Sequence, residues 1–157
     1  EKGGKERRDS VRNALARIPR NVEIIFVHDC ARPMIRPESL VRLLDEAEQR
    51  GGAALAHPVR DTLKRIHVAN STLALTEETV ERTNLWAVGT PQVFRTNLLL
   101  EGMNRAFAEG LPITDETSAV ELLGQSVSLV DPGYPNPKVT TPADLPYVEF
   151  LINGQTP

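Results

Sequence analysis

Apolar and polar positions alternate along this chain in blocks that change period several times. Val11, Ala14, Leu15 and Ile18 recur at helical spacing and predict a helix over 9–18, stopped by Pro19. Glu23 to Val27 is short and nearly all apolar, as in a strand covered on both faces. Pro37 stands at the first turn of a helix carried by Leu40, Val41, Leu44 and Ala47 and stopped at Gly51-Gly52, after which Ala53 to Ala56 reads as the next strand. Strand, helix and strand joined by short connections predict a right-handed crossover and a parallel sheet.

The period then breaks. Between Asp61 and Val80, Leu63, Ile66, Val68, Leu73, Leu75 and Val80 are separated by polar residues without helical spacing, and Ala69-Asn70-Ser71 reads as a turn, so an antiparallel hairpin is expected. A two-stranded ribbon is marginal without further packing. It either lies over its own sheet or protrudes as an arm onto a second subunit. After Phe94, Leu98, Leu99, Met103 and Phe107 predict a helix ending at Gly110. Thr114 is expected to cap a shorter helix with Asp115 and Glu116 in its first turn. Ser126 to Val130 reads as a last strand, followed by a loop stiffened by Pro132, Pro135 and Pro137, and Thr141-Pro142-Ala143-Asp144 opens the final helix.

With 157 residues, 40% of them hydrophobic and 25% charged, the chain has the composition of one globular domain. Its formal net charge of −3, with Arg and Lys scattered, argues against a nucleic-acid-binding surface, so any anionic partner is expected to be small. No apolar run approaches the ~20 residues that span a bilayer, and no signal pattern opens the chain, so it reads as soluble and intracellular, with no membrane partner. The single cysteine, Cys30, offers neither an internal disulfide nor a metal cluster. Glu1 to Arg7 is loop-like and lacks an initiator Met, and a helix from Arg8 with no preceding strand would leave a parallel sheet short of its first elements. An amino-terminal truncation is therefore expected.

Asp29 and Arg32 follow the apolar run Ile24-Ile25-Phe26, at the strand end where open α/β sheets bind ligands. An Asp and an Arg so close can hold a metal ion and a phosphate in one small volume; the same residues also suit a salt-bridged turn. Gly3-Gly4 ahead of a helix could let backbone amides approach a ligand, with Ser10 adding a hydroxyl, or could simply form a turn and a cap. Arg82 on the hairpin reads as a solvated charge, whereas Lys138 in a proline-rich loop is an unusual place for a long cation unless its position matters. His28 reads as a histidine that orients the loop, since His57 and His67 lack ligand spacing with it, and Cys30 as a packing residue. There is no G-x-S-x-G elbow to support a hydrolase.

Taken in order, Gly3-Gly4 with Arg7 and Ser10-Val11, Val27-His28-Asp29 with Ala31-Arg32-Pro33, Pro58-Val59 with Asp61-Thr62 and Lys64, Leu85-Trp86 with Thr90-Pro91-Gln92 and Phe94, Thr114-Asp115-Glu116 with Ser118, and Lys138-Val139-Thr140 with Pro142 and Asp144-Leu145 closely resemble the 2-C-methyl-D-erythritol 4-phosphate cytidylyltransferase family. The match runs nearly end to end. The resemblance implies an α/β, Rossmann-like nucleotidyltransferase fold, with a mostly parallel sheet and a protruding antiparallel β-arm over 60–84 of a domain spanning 1–157. It implies a homodimer held by the arms, and transfer of CMP from CTP to methylerythritol phosphate with Mg2+. By the same resemblance Gly4 and Ser10 meet the nucleoside end of CTP, and Asp29 binds Mg2+. Ala31 and Arg32 contact the sugar phosphate, Thr62 and Arg82 reach a partner's site, Thr90 lies close by, and Lys138 stabilises charge at the α-phosphate.

The family's glycine-rich triphosphate loop and first strand are absent, so the chain as written is expected to be a catalytically incompetent piece of a true enzyme. Gly89 replaces a usually larger residue, Cys30 a usual Ala, and Pro137 a common aliphatic. The implied location is bacterial cytoplasm or plastid stroma. A cytidylyltransferase for another polyol phosphate, such as ribitol 5-phosphate, and a non-catalytic nucleotide-binding or dimerising module are the competing readings.

Overall fold

The computed structural model describes residues 7–68 and 73–154. The elements run α1 (Arg7–Leu15), β1 (Ile24–Val27), α2 (Pro37–Arg50), β2 (Gly52–Pro58), β3 (Leu63–Val68), β4 (Ala74–Val80), β5 (Trp86–Arg95), α3 (Thr96–Ala108), α4 (Glu116–Glu121), β6 (Ser128–Val130), a 3-10 turn (Pro142–Asp144) and α5 (Leu145–Asn153). Gly3, Gly4 and the Ala69-Asn70-Ser71 turn lie outside the described residues.

A four-stranded sheet in the order β1-β5-β2-β6 forms the centre, and β3-β4 form a separate two-stranded ribbon. The mostly parallel sheet expected from the sequence is corrected in its pairing. β5 pairs antiparallel with both β1 and β2, and only β2 and β6 pair in parallel. The hairpin explains this: it returns the chain to the edge where β2 ended, so β5 must run back through the sheet. β1, β2 and β6 still share one direction, because the first two both oppose β5. Their carboxyl ends, and the loops that follow, therefore gather at one edge, the arrangement by which open α/β sheets present ligands.

Alternation along the strands divides the core between two faces. Ala53, Leu55, Val93 and Val130 pack on Leu43 and Ala47 of α2. Ile25 and Phe94 face the other way, onto Leu15 of α1, Leu99 and Met103 of α3, and Ala119 and Val120 of α4. Complete burial of Leu43, Phe94 and Leu99 contributes about 1.5–3 kcal/mol each. The stripe of α2 is centred on Leu43 and Ala47, and Val41 faces solvent. Gly51 closes α2 in the left-handed conformation at φ 93°, its N–H bonded to the Ala47 carbonyl, as a glycine stop should. Gly102 lets α3 approach α4: a Cβ there would stand 2.4 Å from the Ala119 carbonyl oxygen.

β5 is the strand the sequence hid. Its pairing with β2 slips between Ala54, opposite Gln92, and Ala56, opposite Val88, so Gly89-Thr90-Pro91 leave the ladder together. A proline and a glycine are tolerated inside a strand at such a break. The Thr90-Pro91 peptide is cis. The ribbon meets the other expectation, standing as an antiparallel pair with exposed Leu63, Ile66, Leu73 and Leu75 along and beside it.

Candidate functional site

The loop after β1 is held from two sides. On the first, the break in β5 brings Thr90, 4% exposed, beside it. The Thr90 hydroxyl oxygen accepts the Asp29 N–H at 3.0 Å and lies 3.1 Å from His28 Nδ1, while His28 Nε2 lies 3.0 Å from the Arg32 carbonyl oxygen. A carbonyl only accepts, so Nε2 carries the proton and Nδ1 takes the Thr90 hydroxyl hydrogen, a tautomer assigned from the network. His28 thus orients the loop, spanning from Thr90 to the far end of the turn. Cys30, expected to pack, is exposed because the turn points it outward.

On the second side, the loop after β6 crosses the sheet edge. Val139 N–H donates to the Ala31 carbonyl at 2.8 Å, and the Arg32 guanidinium donates to the Asn136 carbonyl at 2.8 Å. Asn136 Nδ2 donates to the Thr90 carbonyl at 2.9 Å. Lys138 Nζ then stands 3.0 Å from Asp29 Oδ2, and Arg32 Nε 3.6 Å from the same oxygen. One carboxylate faces two cations, so the cluster carries net positive charge at a strand end, which suits a phosphate.

Thr90, Gly89 and Gln92 form a third support. Gln92 Nε2 donates to the Gly89 carbonyl at 3.2 Å and to Asp115 Oδ2 at 2.8 Å, and its Oε1 accepts the Thr117 N–H at 3.2 Å. Asp115 is itself the N-cap of α4, in a reciprocal box with Ser118. The cap expected at Thr114 falls one residue later, because Asp115 is the residue whose carboxylate reaches the Ser118 N–H. Gly89 leaves room at the Arg32 guanidinium, where a Cβ would come to 3.4 Å.

Asp29, Ala31, Arg32, Thr90 and Lys138 are thus gathered at one place by contacts more than a hundred residues apart in places. Ser10 lies half-buried in α1, and Gly4 is outside the described residues. Thr62 and Arg82 stand exposed at the two roots of the arm, where the Arg82 guanidinium donates to the Arg60 carbonyl. Beside it the Thr83 N–H and hydroxyl hold the Glu81 carboxyl below its ordinary range. Among the described residues nothing joins Thr62 or Arg82 to Arg32 or Lys138. Sequence reasoning missed Asn136 and Tyr134; the signal was the alternation of polar residues with prolines from Tyr134 to Lys138.

The sheet thus collects a carboxylate, a guanidinium and an ammonium at the carboxyl edge of its parallel-running strands, where open α/β sheets of the nucleotide-binding class present ligands. The family model for 2-C-methyl-D-erythritol 4-phosphate cytidylyltransferase matches residues 2–154, and the chain belongs to that family. It is 45% identical over 151 residues to the enzyme of that name from Citrobacter koseri, covering 96% of this chain and 64% of the relative. Against the chloroplastic enzyme of Oryza sativa subsp. japonica it is 42% identical over 150 residues, covering 96% of this chain and 49% of the relative. The crystal structure of the enzyme from Thermus thermophilus superposes with a TM-score of 0.84 at 33% identity, covering 98% of this chain and 72% of that one. The chain thus spans 49% to 64% of the length of these curated relatives, and the Rossmann-like nucleotidyltransferase reading of the fold agrees with the solved structures.

Proposed function

We propose that the natural protein carrying this chain transfers CMP from CTP to 2-C-methyl-D-erythritol 4-phosphate, releasing pyrophosphate. The observation that carries this reading is the convergence of Lys138 and Arg32 on Asp29. Transfer to a phosphate needs positioning and cations rather than covalent help from the protein. The nucleophile is a phosphate oxygen already ionised near neutral pH, so no general base is required. Lys138 faces charge developing at the α-phosphate, Arg32 holds the sugar phosphate with Ala31 beside it, and Thr90 fixes the turn that carries Asp29. Gly4 and Ser10 are assigned to the nucleoside end of CTP.

Among the described residues no group of three His, Cys, Asp or Glu side chains could cage a metal. A single carboxylate at Asp29 fits Mg2+, which is commonly held by one or two carboxylates together with substrate phosphates. Bound there, Mg2+ supplies Lewis-acid neutralisation of phosphate charge.

Residues 1–157 act as the cytidylyltransferase domain in this reading, with the arm at 60–84 joining two copies. The exposed apolar residues of the arm, Ile66 at 46% and Leu75 at 58% among them, favour a partner, since a ribbon of two strands gains little by itself. Thr62 and Arg82 at its roots would then serve the partner's site. Bacterial and chloroplastic relatives support a location in cytoplasm or plastid stroma, and no described helix is long and apolar enough to cross a membrane.

The test is turnover of the natural protein with α-labelled CTP, Mg2+ and either methylerythritol phosphate or ribitol 5-phosphate. Labelled 4-diphosphocytidyl-2-C-methylerythritol is the expected product. Label transferred to ribitol phosphate instead, or CTP bound without transfer, would overturn the assignment.

A further inference from the structure

The loop leaving β6 reads Tyr134-Pro135-Asn136-Pro137-Lys138. Each proline fixes its own φ and pushes the residue before it to extended backbone, so the segment is a stiff strap. Its first polar residue anchors it. The Tyr134 hydroxyl accepts the Arg36 N–H at 3.0 Å and pairs with Ser39 Oγ at 2.9 Å, while the Arg36 guanidinium lies 4.3 Å over the ring. Its last polar residue is Lys138. Between them Asn136 touches both supports of the site: its carbonyl takes the Arg32 guanidinium and its Nδ2 donates to the carbonyl of Thr90.

That second bond settles the orientation of the amide, because a flipped Asn136 would set oxygen against oxygen. With Nδ2 used, Oδ1 is buried without a hydrogen-bond partner, and so is Arg32 Nε of the same clamp. A buried polar cluster that serves stability alone satisfies its groups. This one leaves the Asn136 acceptor unspent and the Arg32 Nε donor with only the 3.6 Å ion pair to Asp29.

We propose that Asn136 is a positioning residue: by tying the strap to Thr90 and Arg32 it fixes where Lys138 stands relative to Asp29. The inference rests on the cytidylyl-transfer reading for its catalytic consequence, but its geometric claim stands apart from it. Lys138 lies only two residues beyond Asn136 with a proline between, so a loosened amide moves the ammonium with it.

The experiment pairs kinetics with structure in the natural protein. Asn136→Ala is expected to lower kcat about 10- to 100-fold, the scale of a misplacement near 1 Å, with the KM for CTP nearly unchanged and the protein still fully folded at the assay temperature. An unchanged kcat would overturn the proposal, as would a loss of kcat that tracks a loss of folded protein. If the alanine variant does not fold, Asn136→Leu keeps much of the side-chain volume and removes the donor without adding charge, and the same loss of kcat is expected. A crystal structure of either variant reads the geometry without activity: Lys138 Nζ should leave its 3.0 Å contact with Asp29 Oδ2, and retention of that contact would refute the positioning role even if the wild-type protein transferred no cytidylyl group.

Discussion

Removing the ammonium of Lys138 should separate catalysis from stability. Its Nζ lies 3.0 Å from Asp29 Oδ2, with the lysine side chain 43% exposed and the carboxylate 17% exposed. A pair this open to water contributes about 0.2–1 kcal/mol to folding. For a domain of this size that is a shift of roughly 4 °C or less in the melting midpoint. The same ammonium facing charge that develops at a phosphate is worth about 3–4 kcal/mol in the transition state, or ~10²–10³ in rate, on the scale of a preorganised oxyanion donor. Lys138→Ala should therefore lower kcat by that factor and leave the KM for CTP within about threefold, because the lost interaction belongs to the transition state. Steady-state pyrophosphate release with methylerythritol phosphate, run beside thermal denaturation, reads both quantities. A variant with unchanged kcat would remove Lys138 from the chemistry, and one whose melting midpoint collapses would make it a structural residue.

Other positions give sharper structural tests. Thr90→Val removes a buried hydroxyl that serves Asp29 and His28 and should destabilise the protein by about 1–3 kcal/mol in urea, whereas Thr90→Ser should not; equal stability of both would dissolve the proposed link. Gly102→Ala should cost about 1–3 kcal/mol by overpacking, since its Cβ would meet the Ala119 carbonyl at 2.4 Å, and a neutral result would contradict the α3–α4 contact. The Asp144 carboxyl is lowered from 3.8 to about 2 by the N–H groups of Thr141 and Thr140 and by the Thr140 hydroxyl. Its folded-state value is depressed, so the stability it adds is present above 3.8 and is lost as pH falls through about 2. The advantage of wild type over Asp144→Asn in thermal melts should hold near neutral pH and close below that point; a pH-independent gap would show that the charge is not responsible.

Hydrophobic period revealed what depends on local patterning. α2 with its glycine stop, α3, β1, β2 and the hairpin were all legible, because burial on one or both faces imposes a repeat that the chain must show. β5 was not, because Gly89 and Pro91 read as loop residues, and only the matching irregularity opposite Leu55 shows that they interrupt a strand rather than prevent one. The sense of pairing was hidden for the same reason, since it depends on where the hairpin returns the chain. At the site, Asp29, Arg32 and Lys138 announced themselves as charges in places where charge is costly to keep fixed. Their supports did not. The bonds from Asn136 to Arg32 and Thr90, and from Tyr134 to Arg36, join residues 46 to 104 positions apart, and no local pattern encodes such a contact.

In the proposed reaction Asp29, Arg32 and Lys138 face the phosphates of a cytidylyl transfer. A crystal structure of the natural protein with 4-diphosphocytidyl-2-C-methylerythritol and Mg2+ tests it most directly. Phosphate oxygens of the product are expected within hydrogen-bonding distance, about 3 Å, of Lys138 Nζ and the Arg32 guanidinium, with the Asp29 carboxylate turned to the metal. A product seated elsewhere, with Lys138 still closed on Asp29, would contradict it.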